Sequence, residues 1–391
     1  MSRIPNRSPS GSRGEPYTKT DHRAAAEVSR TINRSPSGSR GVPTFDPMIH
    51  LIGGGLAGSI LAWHLYWSDD QWKWSDEHYS RRPSDIAAGI LNPITGRKYA
   101  LSWKFPELLE EAKTFYRKVE REIGEQVFRE LPLYRGIRDD RIYQEWDIRS
   151  ADHPQYMGQV KTASELCPEL HTTSAYFGEV YHAHQLWISK FCTATWDFMS
   201  VRSRDSCTSA PQMMDQESVA SSTAIAHSGK VIIAQGPSRS LEDLFPLEAL
   251  HRTKGDVFLI RSGRPDHSRI IKDRFFLCPL WVDDLYWVGS NYEHRADSDE
   301  PTERMAVQLR DFCDEILEGD YQLIRHIAAY RPTVVDRRPI IGPHSQHDHI
   351  YLCNGLGTKG ASLGPLAARL LMDFIRHENS IPEHVSIARF S

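Results

Sequence analysis

"MIHLIGGGLAGSILAWHLYW", residues 48–67, carries three features in succession. Ile49–Ile52 is a short apolar run of the kind that forms a buried strand. Gly53-Gly54-Gly55-Leu56-Ala57-Gly58 fits G-x-G-x-x-G, and the residues from Leu56 to Trp67 space their apolar side chains as a helix does. This order of strand, turn and helix suits a dinucleotide. Gly53 permits a tight turn, Gly55 lets backbone approach a pyrophosphate, and Gly58 lets the helix pack closely on the strand. Leu56 and Ala57 open the helix, whose N-terminal amides face the phosphates. Gln71–Ser75 is predicted to be a second strand ending at Asp76, at the spacing where a carboxylate meets ribose hydroxyls.

Upstream lies a stretch of another kind. Residues 6–14 read NRSPSGSRG, and residues 33–41 read the same. The repeated word has no apolar face to stack, so it is no solenoid. There is no apolar core of a secretory signal and no amphipathic transit pattern. Residues 1–47 are therefore expected to be a disordered tail or sequence read from a start placed too far upstream, with Met48 directly before the first strand favouring the latter.

Composition narrows the class. The 391 residues suffice for one large domain or two joined ones, with 40% hydrophobic and 25% charged residues as in ordinary globular chains. A formal charge of −4 gives no general attraction for nucleic acid or an anionic membrane, so neither is expected as a partner. No apolar run approaches the ~18–20 residues of a membrane span. Six cysteines lie scattered without a C-x-x-C pair, which fits a reducing cytoplasm and argues against a disulfide framework. His182, His184 and the group His344, His347, His349 lack the spacing of a metal site, and no metal is expected.

The glycine turn serves NAD and FAD alike, and two later stretches decide between them. Residues 87–98, AAGILNPITGRK, are small and glycine-rich around Ala88 and Gly89. Residues 351–371 run from a strand through Gly355-Leu356-Gly357-Thr358-Lys359-Gly360 into a helix rich in Ala and Leu. That turn sets glycine amides and a helix N-terminus against a planar ligand. A reduced flavin carries negative charge that such dipoles stabilise, and Lys359 adds a full charge.

With these residues in view, the chain resembles the D-amino-acid-oxidase-like family of FAD-dependent oxidoreductases, which includes glycine and sarcosine oxidases. The resemblance runs from Met48 to the C-terminus. It rests on the first glycine turn, AAGILNPITGR, VIIAQG (residues 231–236), Lys254-Gly255-Asp256, Val288-Gly289-Ser290, and YRPTVVDRRPIIG (residues 330–342) leading to GLGTKG. It implies an α/β fold in which a discontinuous Rossmann-type FAD-binding domain is joined to an α+β substrate domain built on an antiparallel sheet. The expected FAD segments are 48–135, 186–250 and 325–391, and the expected substrate segments are 136–185 and 251–324.

The implied activity is oxidation of the C–N bond of a small amino acid or secondary amine, by hydride transfer to non-covalent FAD. The electron acceptor is left open. The expected cofactor contacts are Gly53, Gly55, Leu56, Ala57, Gly58, Asp76, Ala88, Gly89, Gly236, Gly357, Thr358, Lys359 and Gly360. No residue is singled out as an obligatory acid or base. Arg331 matches the arginine that grips a substrate carboxylate in similar oxidases; the competing reading is a structural ion pair with Asp336. Lys359 and Tyr292 are the other candidate substrate contacts. Where some relatives attach FAD through a cysteine this chain has Ala329, so covalent attachment is not expected, and Cys353 reads as a buried small hydrophobe. Two alternatives stand beside this: oxidation of a carboxymethylaminomethyl-modified tRNA wobble base, and a non-catalytic flavin-binding subunit.

Between the motifs, residues 105–123 carry one apolar helical face, 274–281 and 285–292 form a hairpin around Asp283-Asp284, 302–317 form a helix, and 202–222 form a loop.

Overall fold

Among the described residues the strands form two large sheets that share a core, beside a three-stranded and a two-stranded one. The computed structural model describes residues 48–76, 82–96, 98–166, 171–202, 211–213, 229–238, 241, 244–264, 267–294, 296–377 and 379–390. The expectation for residues 1–47 lies outside them.

The first sheet has six strands, in the order Gln212–Met213, Trp72–Asp76, Ile49–Ile52, Lys230–Ile233, Ile350–Asn354, Ile340–Pro343. All neighbours are parallel except the last pair, which is antiparallel. Ile49–Ile52 and Ile350–Asn354 are buried throughout, as strands covered on both faces must be. Leu51, Ile232, Tyr351 and Cys353 turn to one side, where helices Leu56–Tyr66, Phe105–Ile123, Ile188–Arg202 and Gly360–His377 pack. Ile52, Val231, Ile233 and Leu352 turn to the other, against Phe245, Val334 and Ile387.

Helix Phe105–Ile123 buries Leu108, Leu109, Ala112, Phe115, Tyr116 and Val119 at helical spacing, each large apolar side chain contributing roughly 1.5–3 kcal/mol by leaving water. It ends at Gly124, whose left-handed φ of 72° closes the last turn onto the Glu120 carbonyl. The Tyr116 hydroxyl, fully buried, donates to the Ala361 carbonyl at 2.9 Å and ties this helix to the start of the last one.

The second sheet has eight strands, in the order Gln322–Val334, Leu250–Arg261, Leu285–Gly289, Phe276–Pro279, Ile270–Lys272, Leu133–Ile137, Tyr176–Val180, Met157–Thr162. Every pairing is antiparallel except Ile270–Lys272 with Leu133–Ile137. Tyr134, Phe258, Ile260, Ile271, Leu277, Tyr286 and Val288 face helix Glu303–Leu317. Residues of the opposite parity, Leu133, Ile137, Ile270, Phe276, Cys278 and Trp287, join the core that contains Ala88, Leu91, Ile94 and Tyr99. This second face therefore looks onto the glycine-rich segment beside the first sheet.

The expected hairpin is present as Phe276–Pro279 paired with Leu285–Gly289. The expected loop over 202–222 needs one correction. Within its described residues, Gln212–Met213 pairs in parallel with Ser75 and Asp76 as the edge of the first sheet. Among the described residues no helix is long and apolar enough to cross a membrane.

Candidate functional site

The first glycine turn is built where side chains have no room. Gly53 has φ 114°, and a β-carbon there would run into the Ala234 carbonyl. One on Gly58 would overlap the Gly53 carbonyl, which already accepts the Trp74 indole N–H at 2.9 Å. One on Gly54 would overlap the carboxylate of Asp76, which is 5% exposed at the end of its strand and so stands directly over the turn.

Arg82 and Ser84, which sequence reasoning missed, fold back onto the same turn. The Arg82 guanidinium donates to the Gly54 carbonyl and pairs with Asp85 at 3.4 Å. The Ser84 hydroxyl accepts the Leu56 N–H at 3.0 Å, at the first residue of the helix. Burial raises the Asp85 carboxyl above its ordinary value, an effect Arg82 opposes. Their signal was the Pro-Ser-Asp of a helical start at 83–85, which is too short to stand out.

Residues 86–89 are stapled to the second sheet, directly and through Gln185 of a small three-stranded sheet. The Trp287 indole donates to the Ile86 carbonyl at 2.8 Å, and the Gln185 amide donates to Ala88 at 3.2 Å and to Pro279 at 3.0 Å. Arg129 grips the Gln185 oxygen through two nitrogens at 2.7 and 3.1 Å. Gly89, at φ 71°, lies so close to the Leu186 carbonyl that no β-carbon fits. Gly236, also left-handed at φ 59°, accepts the Asn354 amide at 2.8 Å.

The second glycine turn comes to meet the first. Gly355 and Gly357 take φ of 74° and 54°, and the Gly357 N–H donates to the Pro332 carbonyl at 2.9 Å. A β-carbon on Gly360 would stand 2.8 Å from Leu56 Cδ2, so the first residues of the first and last helices abut. Thr358 is exposed. The Lys359 amine lies 3.4 Å from the Ser102 hydroxyl, and burial, with Arg337 nearby, lowers its pKa.

Arg331 is the centre of a third convergence. It stands opposite Thr253, and its guanidinium fills the space over Gly255 where a β-carbon would be. It donates to the Ser290 hydroxyl and to the Asn291 carbonyl at 3.2 Å, and lies 5.2 Å from the centre of the Tyr292 ring. Asn291 is in turn fixed by the Asp256 N–H, 2.7 Å from its side-chain oxygen. Burial lowers the Arg331 pKa, and Tyr292 and Asp256 oppose that shift.

Among the described residues no carboxylate lies within ion-pairing distance of Arg331. Asp336 pairs instead with Arg389 at 3.0 Å, which removes the structural ion pair as the explanation of Arg331. Tyr292 is 58% exposed, at the rim rather than in the core. Ala329 stands opposite Gly255, and Cys353 is buried at 1% exposure. His344 is committed to local contacts, bonding the Leu244 carbonyl at 2.8 Å and accepting the N–H groups of Gln346 and His347.

Solved structures share this architecture. A glycine oxidase from Bacillus cereus aligns with a TM-score of 0.68 at 16% identity, covering 86% of this chain and 96% of its own. An iminodiacetate oxidase from a Chelativorans species aligns with a TM-score of 0.68 at 18% identity, covering 88% and 98%. In sequence, the bifunctional protein MnmC of tRNA 5-methylaminomethyl-2-thiouridine biosynthesis from Thiobacillus denitrificans is 26% identical over 176 residues, 42% of this chain. That match spans only 28% of the MnmC chain. The family model described as DAO, FAD dependent oxidoreductase, matches residues 49–374. A match that runs from the first strand into the last helix settles the family: this chain belongs to the DAO family of FAD-dependent oxidoreductases.

Proposed function

We propose that this oxidoreductase acts on the C–N bond of a small amino acid or secondary amine whose carboxylate is held by Arg331. The observation that carries this reading is a half-buried guanidinium, fixed by Ser290 and Asn291 and left without a carboxylate partner among the described residues. A planar fork with donors to spare suits a carboxylate, and charge-assisted bonds of that kind are the strong ones.

The residues present fit FAD. At Gly53 and Gly58 the turn packs on backbone too closely for any side chain, Gly55 has only the Ser84 hydroxyl beside it, and the Asp76 carboxylate stands over Gly54. Leu56 and Ala57 would turn helix-start amides to the phosphates, with Arg82 and Ser84 alongside. Ala88, Gly89 and Gly236 would line the cofactor's path, and Gly357, Thr358, Lys359 and Gly360 would face the flavin ring. Bound there, FAD supplies the acceptor for a hydride and so carries the hard chemical step. The chain itself binds and orients. Arg331 fixes the substrate carboxylate, Trp287 and Gln185 hold the wall at Ile86–Gly89, and Lys359 offers positive charge at the second turn.

The test is anaerobic mixing of the flavin-loaded protein with amino acids and N-alkylglycines, followed by flavin bleaching. Bleaching by such amines supports the reading; none by any of them overturns it.

A second reading, oxidation of a modified tRNA base, is favoured by one cluster. Trp103 has the Arg338 guanidinium 5.5 Å and the Lys104 amine 5.6 Å from its ring centre, with the His384 ring at 5.3 Å. Bases stack on aromatic rings set among cations. Bleaching by an RNA fragment carrying a carboxymethylaminomethyl uridine, and not by free amino acids, separates the two.

A further inference from the structure

One cross-strand row on the cofactor-side face of the large sheet reads Val257, Gly289, Phe276, Lys272, Arg135, each opposite the next. Arg331 belongs to the same face, because it stands opposite Thr253, whose parity is that of Val257. Its guanidinium reaches Ser290, the residue after Gly289. Two strand spacings therefore separate the Arg331 head group from the Lys272 strand, on the order of 10 Å.

Lys272 is short of anionic partners. Its amine donates to the carbonyls of Asp273 and Arg274 at 2.8 and 2.9 Å, which uses two of three N–H bonds, and it lies 4.9 Å from the Phe276 ring centre. The nearby Asp273 carboxylate is already taken by Arg138, Thr172 and Ser174. Arg135 adds a second positive charge while holding the carbonyls of Ile94 and Gly96 at 3.2 and 2.6 Å. Burial, with Arg135 and Arg138 close by, pushes the Lys272 amine down to about 7 although Asp273 opposes the shift. Among the described residues, Lys272 and Arg135 thus stand together beside one carboxylate that three other side chains already share.

We propose that Lys272, backed by Arg135, receives a second carboxylate of the substrate, so that the preferred substrate is an amino acid or N-substituted glycine with a distal acidic group. This rests on the reading of Arg331 as the carboxylate site. Arg331 grips one end, the reacting C–N bond lies near that end, and the spacer runs past Phe276 toward Lys272.

The test uses the flavin-loaded full chain and two matched series: N-(ω-carboxyalkyl)glycines of increasing spacer, beginning with iminodiacetate, and N-alkylglycines of equal length ending in methyl. Dissociation constants come from calorimetry and from perturbation of the flavin spectrum. The terminal carboxylate is expected to tighten binding about tenfold or more at the longer spacers. Lys272→Met should remove that gain, leave the methyl-terminated series within about twofold, and keep the flavin; Lys272→Arg should restore part of it. A variant that loses flavin is replaced by Lys272→Gln in the same comparison. No gain at any spacer, or a gain that survives loss of the lysine charge, overturns the proposal. Failure of the Arg331 reading looks different, because Arg331→Leu would then leave both series binding as before.

Discussion

Gly255 and Arg331 are complementary across paired strands: the guanidinium occupies the volume that a β-carbon on residue 255 would fill. Gly255→Ala is therefore expected to move Arg331 rather than to unfold the sheet, because the atoms displaced are the far end of a flexible side chain. We expect flavin content and melting temperature to hold. Carboxylate affinity should fall by about tenfold or more, the loss of one or more charge-assisted bonds. Titration of the variant with a carboxylate ligand, read in the flavin spectrum, checks this; unchanged affinity would remove the carboxylate from Arg331.

Arg331→Leu deletes the same contact from the other strand. Binding of an amino acid should weaken by a similar factor while FAD stays bound, since the first glycine turn lies on the other sheet and the second meets the backbone of Pro332, not the Arg331 side chain. Arg331→Lys should recover only part, because an ammonium cannot reproduce the two-pronged geometry. Stopped-flow reduction under anaerobic conditions distinguishes weaker binding from a slower chemical step.

The first turn gives a harsher outcome. A β-carbon on Gly58 meets the carbonyl of Gly53, which is backbone and held by Trp74, so neither partner yields easily. Gly58→Ala should emerge with little or no flavin, or fail to accumulate, whereas Gly96→Ala meets open space and costs only the strain of its φ of 73°. The ratio of flavin to protein absorbance in the purified variants reports the difference.

Two histidines, His50 buried and His64 half-buried, set an acid limb. Burial holds His64 down to about 3, helped by Arg376, Arg369 and Lys118, and His50 down to about 4, helped by Lys73, from an ordinary 6.5. In the unfolded chain both take up protons near 6.5, while the folded protein refuses them. Stability is thus fully present above 6.5 and falls as pH drops toward about 4 for His50 and about 3 for His64. The slope is on the order of 1 kcal/mol per pH unit for each group. His64→Phe, which keeps a ring to stack on Phe115 at 5.4 Å, should flatten this limb. Melting temperature followed from pH 7 to 4.5 would show it, above the range where carboxylates take over.

Much of this was legible in the chain because the relevant signals are local. The strand at Ile49–Ile52, the glycine turn and the helical face from Leu108 to Val119 each declare themselves within a few residues. Arg331 was singled out as a candidate through its neighbours in sequence. Arg82, Gln185, Trp287 and Lys272 were not, because what they do is decided by residues far along the chain. The Trp287 indole serves Ile86, 201 positions away, and Arg129 serves Gln185, 56 away. A tryptophan or lysine in a strand carries no mark of such a partner. The two-residue strand Gln212–Met213 is shorter than any period that could announce it.

The central sheet has a consequence for how the molecule comes into being. Ile49–Ile52 lies beside Lys230–Ile233, which lies beside Ile350–Asn354, so the middle of the sheet waits for a strand 301 residues after the first (350 minus 49). At roughly 5–20 residues per second, the ribosome needs about 15–60 s to deliver it. For the last 120 residues of that interval (350 minus 230), roughly 6–24 s at the same rate, the apolar edge of Lys230–Ile233 has no neighbour on one side, the condition under which strands find wrong partners. Nascent chains stopped before Ile350 should accordingly be held by chaperones or lost, and no C-terminal truncation that reaches this strand should yield a soluble fragment.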